Sequence, residues 1–218
     1  MKKNKVRGKI VLHDDRALVT LYEGGGKVLV DKPLSYQTVA TLFADSAFDS
    51  GVLPARCVYY RNRGDGNEIG VFQPAHRATV ATEKRTYDIP LPPMIWAGKN
   101  HRYSLFALRG DELDPQGWPR PDTRLYLPPL SNIFNNGSVC GGNNTFPLAG
   151  RETIWTAWDQ FFASLFTQHL VGNRARRGGH IMALWKKIEQ LERFPDGELV
   201  ALMLIEGPGT VAGLAGTG

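Results

Sequence analysis

Short strand-like segments dominate the chain up to Gly150, and helix-like segments follow it. The strand-like segments alternate apolar and polar residues or are rich in β-branched residues, and turn-forming residues separate them. They comprise an antiparallel meander over residues 6–31, the pair CVYYRN and NEIGVFQP joined by RGDG, one more strand within ATVATEKRTYDIPL, the pair MIWAG and RYSLFAL, and the short TRLYL. One helix, YQTVATLFADSAF, interrupts the series; Ser35 is placed to cap it, and it is expected to end near Gly51.

The segment RETIWTAWDQFFASLFTQHL carries its apolar residues at helical spacing. These residues are Ile154, Trp158, Phe161, Phe162, Leu165 and Phe166. The pattern predicts an amphipathic helix whose aromatic face packs in the core. IMALWKKIEQLERF is predicted to be a second helix, stopped by Pro195 and Gly197, and the low-complexity tail GPGTVAGLAGTG is expected to be disordered.

The composition and net charge limit the kinds of fold and binding site that this chain can form. The 218 residues are 42% apolar, which is enough for a core in one large domain or two small ones. Two cysteines exclude a disulfide framework and a four-cysteine zinc site, and the five histidines show no metal-ligand spacing. The net charge of +5 is compatible with an acidic partner. With no signal peptide and no apolar run long enough for a bilayer, we expect a soluble cytoplasmic protein with reduced thiols.

One of the two cysteines lies in an unusual setting. NIFNNGSVC, from Asn132 to Cys140, follows a proline-rich segment and precedes GGNN. Such a stretch cannot form a regular core around a cysteine. Cys140 is therefore expected to be reactive rather than buried, whereas Cys57, inside ARCVYYRN, is expected to be a buried strand residue.

This segment resembles the ubiquitin-conjugating enzymes. In that family a strand of the type T-x-I-Y precedes His-Pro-Asn, then Ile, an Asn-Gly turn, and a cysteine eight residues after the first Asn. The matching residues here are Thr123, Tyr126, Asn132, Ile133, Asn136, Gly137 and Cys140. Over residues 90–172 the chain is closer to a bacterial branch, prokaryotic ubiquitin-conjugating family D, also described as PRTRC system protein B. The segments LPPMIW, YSLFAL, TRLYLPPLSNIF, VCGGN and FFASLFTQH carry this likeness.

The resemblance implies an α+β fold, with an antiparallel sheet, helices packed on one side and an extra N-terminal β-rich region. The implied domains are residues 1–90 as this extension, 91–195 as the conjugating core, and 196–218 as a C-terminal strand and flexible tail. The implied activity is a transferase that holds a ubiquitin-like modifier as a thioester on Cys140. The implied partners are a ThiF-like activating enzyme, the ubiquitin-like protein and a JAB-type deconjugating protease, in a plasmid or phage-defence setting. No metal or organic cofactor, membrane or nucleic acid is implied.

Two further residues acquire candidate roles. Asn132 could donate a hydrogen bond to the oxyanion of acyl transfer, or its side chain could brace the cysteine loop. His169, at the end of the predicted helix, could accept a proton from the incoming amine, or it could cap helix carbonyls. Asn136 before Gly137 is predicted to be a turn residue.

The chain also departs from the family pattern. Leu130 and Ser131 stand where the family has His and Pro, LPPL interrupts the approach to Asn132, and Gly141 replaces the usual Leu. These departures keep two alternatives open. One is a non-catalytic scaffold that binds the modifier, and the other is a cysteine hydrolase, which needs a histidine near Cys140.

Overall fold

The computed structural model describes residues 8–14, 16–22, 28–39, 52–63, 66–167, 180–202 and 209–216. The chain forms two compact units, Met1–Gly51 and Val52–Gly218. The boundary predicted at residue 90 lies inside the second unit, where strands from both sides of that residue share one sheet.

The first unit contains an antiparallel meander of three strands, β1 (Gly8–Leu12), β2 (Ala17–Tyr22) and β3 (Val28–Leu34). This confirms the meander predicted over residues 6–31. Ser35 follows it, and its hydroxyl accepts a hydrogen bond from the backbone N–H of Thr38 at 3.1 Å. Residues 36–39 are helical, as the cap predicts, and the remainder of that predicted helix lies outside the described residues.

The second unit is built on a six-stranded antiparallel sheet with a two-stranded ribbon beside it. In chain order its strands are β4 (Cys57–Arg63), β5 (Gly66–Gln73), β6 (His76–Ala81), β7 (Thr86–Leu91), β8 (Met94–Lys99), β9 (Arg102–Ala107), β10 (Tyr126–Leu127) and β11 (Val200–Ala201). The sheet order is β11-β10-β9-β8-β5-β4, and β6 pairs with β7. All of these pairings are antiparallel.

Two strand predictions need correction. The single strand predicted within ATVATEKRTYDIPL is a hairpin of β6 and β7, because the backbone N–H and the hydroxyl of Thr82 both donate to the carbonyl of Arg85 and close a turn. The predicted strand TRLYL is regular only at Tyr126–Leu127. Upstream of it, Arg124 forms an isolated bridge to Thr210, and its backbone N–H donates to the Glu112 carboxylate at 3.2 Å.

The sheet separates two apolar clusters, since successive side chains along a strand point to opposite faces. Val71, Trp96 and Leu105 belong to the larger cluster, and their neighbours Phe72, Ile95 and Phe106 belong to the smaller one. The helices α1 (Ile154–Phe162) and α2 (Ile181–Ile188) bury their apolar faces in the larger cluster. A short helix, α3 (Val211–Leu214), contributes to the smaller cluster.

The helices are shorter than the sequence predicts. α1 ends at Phe162 because the carbonyl of Phe161 accepts from both the backbone N–H and the hydroxyl of Ser164. The aromatic stripe packs in the core as predicted, except that Leu165, beyond the helix end, is exposed. α2 ends at Ile188, whose carbonyl accepts from the N–H of Leu191.

The C-terminal segment also differs from its prediction. Residues 209–216, expected to be disordered, include α3, where the Thr210 hydroxyl accepts from the N–H of Gly213 at 3.2 Å. Arg61 holds this segment to the sheet by donating to the carbonyls of Leu214 and Ala215. The architecture is α+β, as predicted. Within the described ranges, no helix is long and apolar enough to cross a membrane.

Candidate active site

The segment from Asn132 to Cys140 folds back on itself as a tight loop. Ile133 and Val139 form an isolated antiparallel bridge, and the backbone N–H of Cys140 donates to the carbonyl of Asn132 at 2.8 Å. Cys140 itself lies outside any regular strand or helix, and it is half-buried. The eight-residue spacing therefore closes a loop that places Asn132 beside the cysteine.

The turn of this loop depends on Gly137, which has a φ of 86°. A Cβ at this position would lie 2.3 Å from a ring carbon of Phe106, so the glycine also permits close approach to the sheet. The side-chain oxygen of Asn136 accepts from the N–H of Ser138 at 3.0 Å. Asn136 thus makes the local hydrogen bond of a turn residue, as the sequence predicts.

The loop docks on β9, along a part of its edge that β10 leaves free. Its contact points are the bridge Ser104–Ser138 and two backbone hydrogen bonds, from Val139 to Tyr103 at 2.8 Å and from Leu105 to Gly137 at 2.9 Å. The loop that carries the cysteine is thereby held against the rigid sheet. Positioning of reactive groups on rigid elements favours catalysis.

The Asn132 side chain connects the loop to the segment that follows α1. Its amide nitrogen donates to the carbonyl of Leu165 at 2.9 Å. Its oxygen accepts from the backbone N–H of Thr167 at 3.2 Å and from the Thr167 hydroxyl at 3.1 Å. The backbone φ of Asn132 is 60°, a left-handed conformation that Asn tolerates better than most residues. Of the two roles considered for Asn132, these contacts support bracing of the loop.

The chain after Cys140 is held by side chains that the sequence analysis did not single out. The carbonyl oxygens of four consecutive residues, 145–148, each accept a side-chain hydrogen bond. The donors are Gln160 to Thr145 at 3.3 Å, His101 to Phe146 at 2.8 Å, Tyr103 to Pro147 at 3.1 Å and Thr153 to Leu148 at 2.6 Å. No sequence pattern indicated these contacts, because each pairs residues from distant elements or depends on the path of an irregular loop.

Between the cysteine and these tethers the chain is open. Gly142, Asn143, Asn144 and Thr145 are exposed, and the turn is closed by a hydrogen bond from the Asn144 N–H to the Gly141 carbonyl at 2.8 Å. The candidate site is thus a half-buried thiol beside an exposed polar turn.

Cys57 differs from Cys140 in its surroundings. It is the first residue of β4, as predicted, and it packs against the larger apolar cluster, but it is half-buried where the sequence predicted a buried residue. Its thiol donates to the carbonyl of Tyr59 at 3.3 Å, and burial raises its pKa above the ordinary thiol value. At neutral pH the thiolate that acyl transfer requires is therefore suppressed at Cys57.

The approach to the loop is buried and anchored. Leu130 and Ser131, which stand where the family has His and Pro, are both fully buried. The indole N–H of Trp185 in α2 donates to the carbonyl of Pro129 at 2.8 Å. The LPPL interruption is therefore packed into the core rather than looped out.

The structure brings Asn132 and Cys140 together as neighbours. The third predicted site residue, His169, lies outside the described residues. Across the described ranges, no group of three or more His, Cys, Asp or Glu side chains is arranged to hold a metal ion.

Comparison with known proteins and protein families gives a family match that covers most of the chain. Neither the curated proteins nor the solved structures include a match to this chain. The model of prokaryotic E2 family D matches residues 37–202, which is most of the chain and extends well before the likeness seen over residues 90–172. The chain therefore belongs to prokaryotic E2 family D, and with it to the ubiquitin-conjugating type of protein.

Proposed function

We propose that this protein is a ubiquitin-conjugating-type transferase that carries a ubiquitin-like modifier as a thioester on Cys140. A ThiF-like activating enzyme supplies the modifier, and an amine on a target accepts it. A JAB-type protease that removes the modifier completes the proposed set of partners. Family membership supports the general type of role, and the site geometry supports the choice of cysteine.

The observation that carries the proposal is the setting of Cys140. Its backbone is fixed by Asn132 on one side and its loop is docked on β9, while the following turn is exposed. An extended glycine-ended tail needs an open approach to a thiol that is itself held in position. A loop of Gly and Asn residues on a rigid sheet meets both requirements.

The proposed chemistry is two acyl transfers. In loading, the Cys140 thiolate attacks the carbonyl carbon of the modifier's thioester on the activating enzyme; the new C–S bond forms and the activating enzyme's thiolate leaves. In discharge, a free amine attacks the same carbon, the C–N bond forms and Cys140 leaves as a thiolate. The surplus proton on nitrogen passes to solvent. Both steps pass through a tetrahedral oxyanion.

The missing His-Pro pair is compatible with this proposal. In the family pattern these residues precede the Asn and belong to the approach to the cysteine. Here Leu130 is buried in the core, and the Asn132 side chain connects the loop to the segment after α1 by donating one hydrogen bond to Leu165 and accepting two from Thr167. The loop is thus fixed without a histidine.

The test is reconstitution of loading. The chain is incubated with ATP and with the ThiF-like protein and ubiquitin-like protein encoded nearest to it, and products are separated with and without reducing agent. We expect an adduct that reducing agent removes. Cys140→Ser should give an oxyester that resists reducing agent and is cleaved by base, and Cys57→Ser should load normally.

Three other outcomes would contradict the proposal, and each would point to a different conclusion. Modifier binding without any covalent adduct would identify a scaffold. Hydrolysis of a modifier–peptide fusion in the absence of ATP would identify a cysteine hydrolase. Loading that depends on Cys57 in a folded protein would mean that the wrong cysteine has been chosen.

A further inference from the structure

The bridge Ser104–Ser138 sets the register of the cysteine loop against β9, and extending that register by two residues places Arg102 opposite Cys140. The N–H of Val139 bonds to the carbonyl of Tyr103 in an antiparallel arrangement. Because Arg102 precedes Tyr103 and Cys140 follows Val139, the next positions along the two segments face each other. Residues opposed in this way have Cα atoms about 4.5–5.5 Å apart.

The two side chains also share a face. Tyr103 and Val139 both pack against the larger apolar cluster. Since successive side chains of extended segments alternate, Arg102 and Cys140 point to the other side. Cys140 is therefore flanked by Asn132 in its own loop and by Arg102 in the sheet.

Arg102 is free to act on a ligand. It is exposed, and among the described residues its guanidinium has neither an ion pair nor a hydrogen bond. Arg120, another exposed arginine, is paired with Asp122 at 3.3 Å. A guanidinium keeps its positive charge and presents five N–H donors, so it suits an oxygen that gains negative charge.

The Asn132 amide is less well placed for that role. Its oxygen and nitrogen are held by Thr167 and Leu165. Turning the amide towards an oxyanion on Cys140 would break these hydrogen bonds. A donor that must first break its contacts is not preorganised, and preorganisation is what makes an oxyanion donor effective.

We propose that Arg102 is a catalytic residue that donates hydrogen bonds to the tetrahedral oxyanion formed at Cys140. The inference rests on the proposed function in taking Cys140 as the acyl acceptor. As nucleophile and leaving group exchange on the acyl carbon, the carbonyl oxygen gains and then loses its negative charge. Arg102 stabilises that charge without transferring a proton.

The test uses an acyl group that needs neither the modifier nor the activating enzyme. Full-length protein carrying Cys57→Ser is acetylated on Cys140 with 4-nitrophenyl acetate. Aminolysis of acetyl-Cys140 by free lysine is then followed by mass spectrometry. The variants are Arg102→Gln and Arg102→Lys. The matched control is Arg124→Gln, because Arg124 is also exposed and lies near Tyr126, which pairs with the opposite end of β9.

We expect Arg102→Gln to slow aminolysis by roughly a hundredfold or more, as loss of one oxyanion donor does elsewhere. The dependence of the rate on lysine concentration should be unchanged, since the oxyanion forms only after the amine has bound. Arg102→Lys should slow aminolysis less than Arg102→Gln does, because lysine keeps the positive charge. It should still be slower than the parent, because lysine lacks the forked set of donors of arginine. Arg124→Gln should match the parent.

The inference is overturned if Arg102→Gln reacts as fast as Arg124→Gln. It is also overturned if acetyl-Cys140 of the parent protein reacts no faster than the acetyl thioester of a small thiol. Failure of the proposed function is a separate result: the protein would not load the modifier, while aminolysis of acetyl-Cys140 would still depend on Arg102.

Discussion

Asn132 accepts a hydrogen bond from the backbone N–H of Cys140 through its carbonyl, while its side chain bonds to Leu165 and Thr167. Asn132 thus joins the cysteine to the segment that follows α1. The backbone contact fixes the position of the thiol along the loop, and the side-chain contacts fix the loop against the helical layer. Asn132→Gly can separate these effects, because glycine adopts the positive φ of Asn132 and keeps the backbone contact but has no side chain to make the others.

Replacing Asn132 should lower loading and discharge together. Asn132→Gly removes the side-chain hydrogen bonds but tolerates the φ of 60°, and we expect it to cost about 1–2 kcal/mol of the free energy of unfolding. Asn132→Ala should cost about 1–2 kcal/mol more, because alanine is strained in the left-handed region. Urea unfolding gives the free energies, and single-turnover assays give the two rates.

Ser131→Ala is the control for this prediction. The Ser131 hydroxyl is fully buried and has no hydrogen-bond partner in the described part of the chain. Its removal should leave loading unchanged and stabilise the protein, by about 1 kcal/mol, since an unpaired buried hydroxyl is unfavourable. If Asn132→Gly keeps full stability and full loading but discharges slowly, Asn132 is the oxyanion donor and bracing is not its role.

Gly137→Ala should disrupt the cysteine loop. A Cβ there would lie 2.3 Å from the ring of Phe106, and the φ of 86° adds backbone strain. We expect a loss of about 2–4 kcal/mol and a large fall in loading. Gly142→Ala is the matched control: its φ is 55°, but a Cβ would meet no atom within 4 Å. It should cost only the backbone term, about 1–2 kcal/mol. Equal effects of the two variants would contradict the packing argument.

The two cysteines should differ in their alkylation by iodoacetamide. Burial raises the pKa of the Cys57 thiol, so its thiolate fraction at neutral pH is below that of an ordinary cysteine and rises only in a more alkaline range. Cys140, in the half-buried loop beside an exposed turn, should be alkylated first near neutral pH. Peptide mass spectrometry across a pH series measures both rates, with Cys57→Ser as the control. Faster alkylation of Cys57 at neutral pH would contradict this account.

Sequence patterns predicted the parts of this fold that depend on local physics. The hairpin of β8 and β9 shows strand periodicity on both sides of a short turn, and α1 carries its aromatic residues at helical spacing. The hairpin of β6 and β7 was missed because its turn contains no Gly or Asn; the hydrogen bonds from Thr82 to Arg85 close it instead. The helix in the C-terminal segment was missed because it is short and glycine-rich, and it is stabilised by packing in the smaller cluster.

The candidate site was predictable only in part, because only some of its contacts are local in the sequence. The family resemblance implied a role for Asn132 at Cys140, and the two residues lie in one loop, where the backbone N–H of Cys140 bonds to the Asn132 carbonyl. The position of Arg102 depends on where that loop docks on β9, and the contacts of Asn132 with Leu165 and Thr167 depend on where α1 ends. Such contacts between distant segments follow from packing, which no local pattern in one sequence specifies.

Trp185→Phe should loosen the approach to the cysteine loop. The variant removes the indole N–H that donates to the buried carbonyl of Pro129, three residues before Asn132. The carbonyl would lose its partner and the ring would leave a void, so we expect a loss of about 2–4 kcal/mol.

Hydrogen exchange distinguishes this local effect from general destabilisation. At a temperature where the variant remains folded, the amides of Leu130 and Ser131 should exchange faster than in the parent, and loading should fall. The matched variant is Trp96→Phe, which removes an equally buried indole N–H, donated at 3.0 Å to the carbonyl of Ile154 at the start of α1. It should destabilise the protein by a similar amount, with its exchange increase centred on α1. If Trp185→Phe leaves exchange at Leu130 and Ser131 unchanged, the Pro129 carbonyl is not what anchors the LPPL segment, and packing of Leu130 in the core is sufficient to hold it.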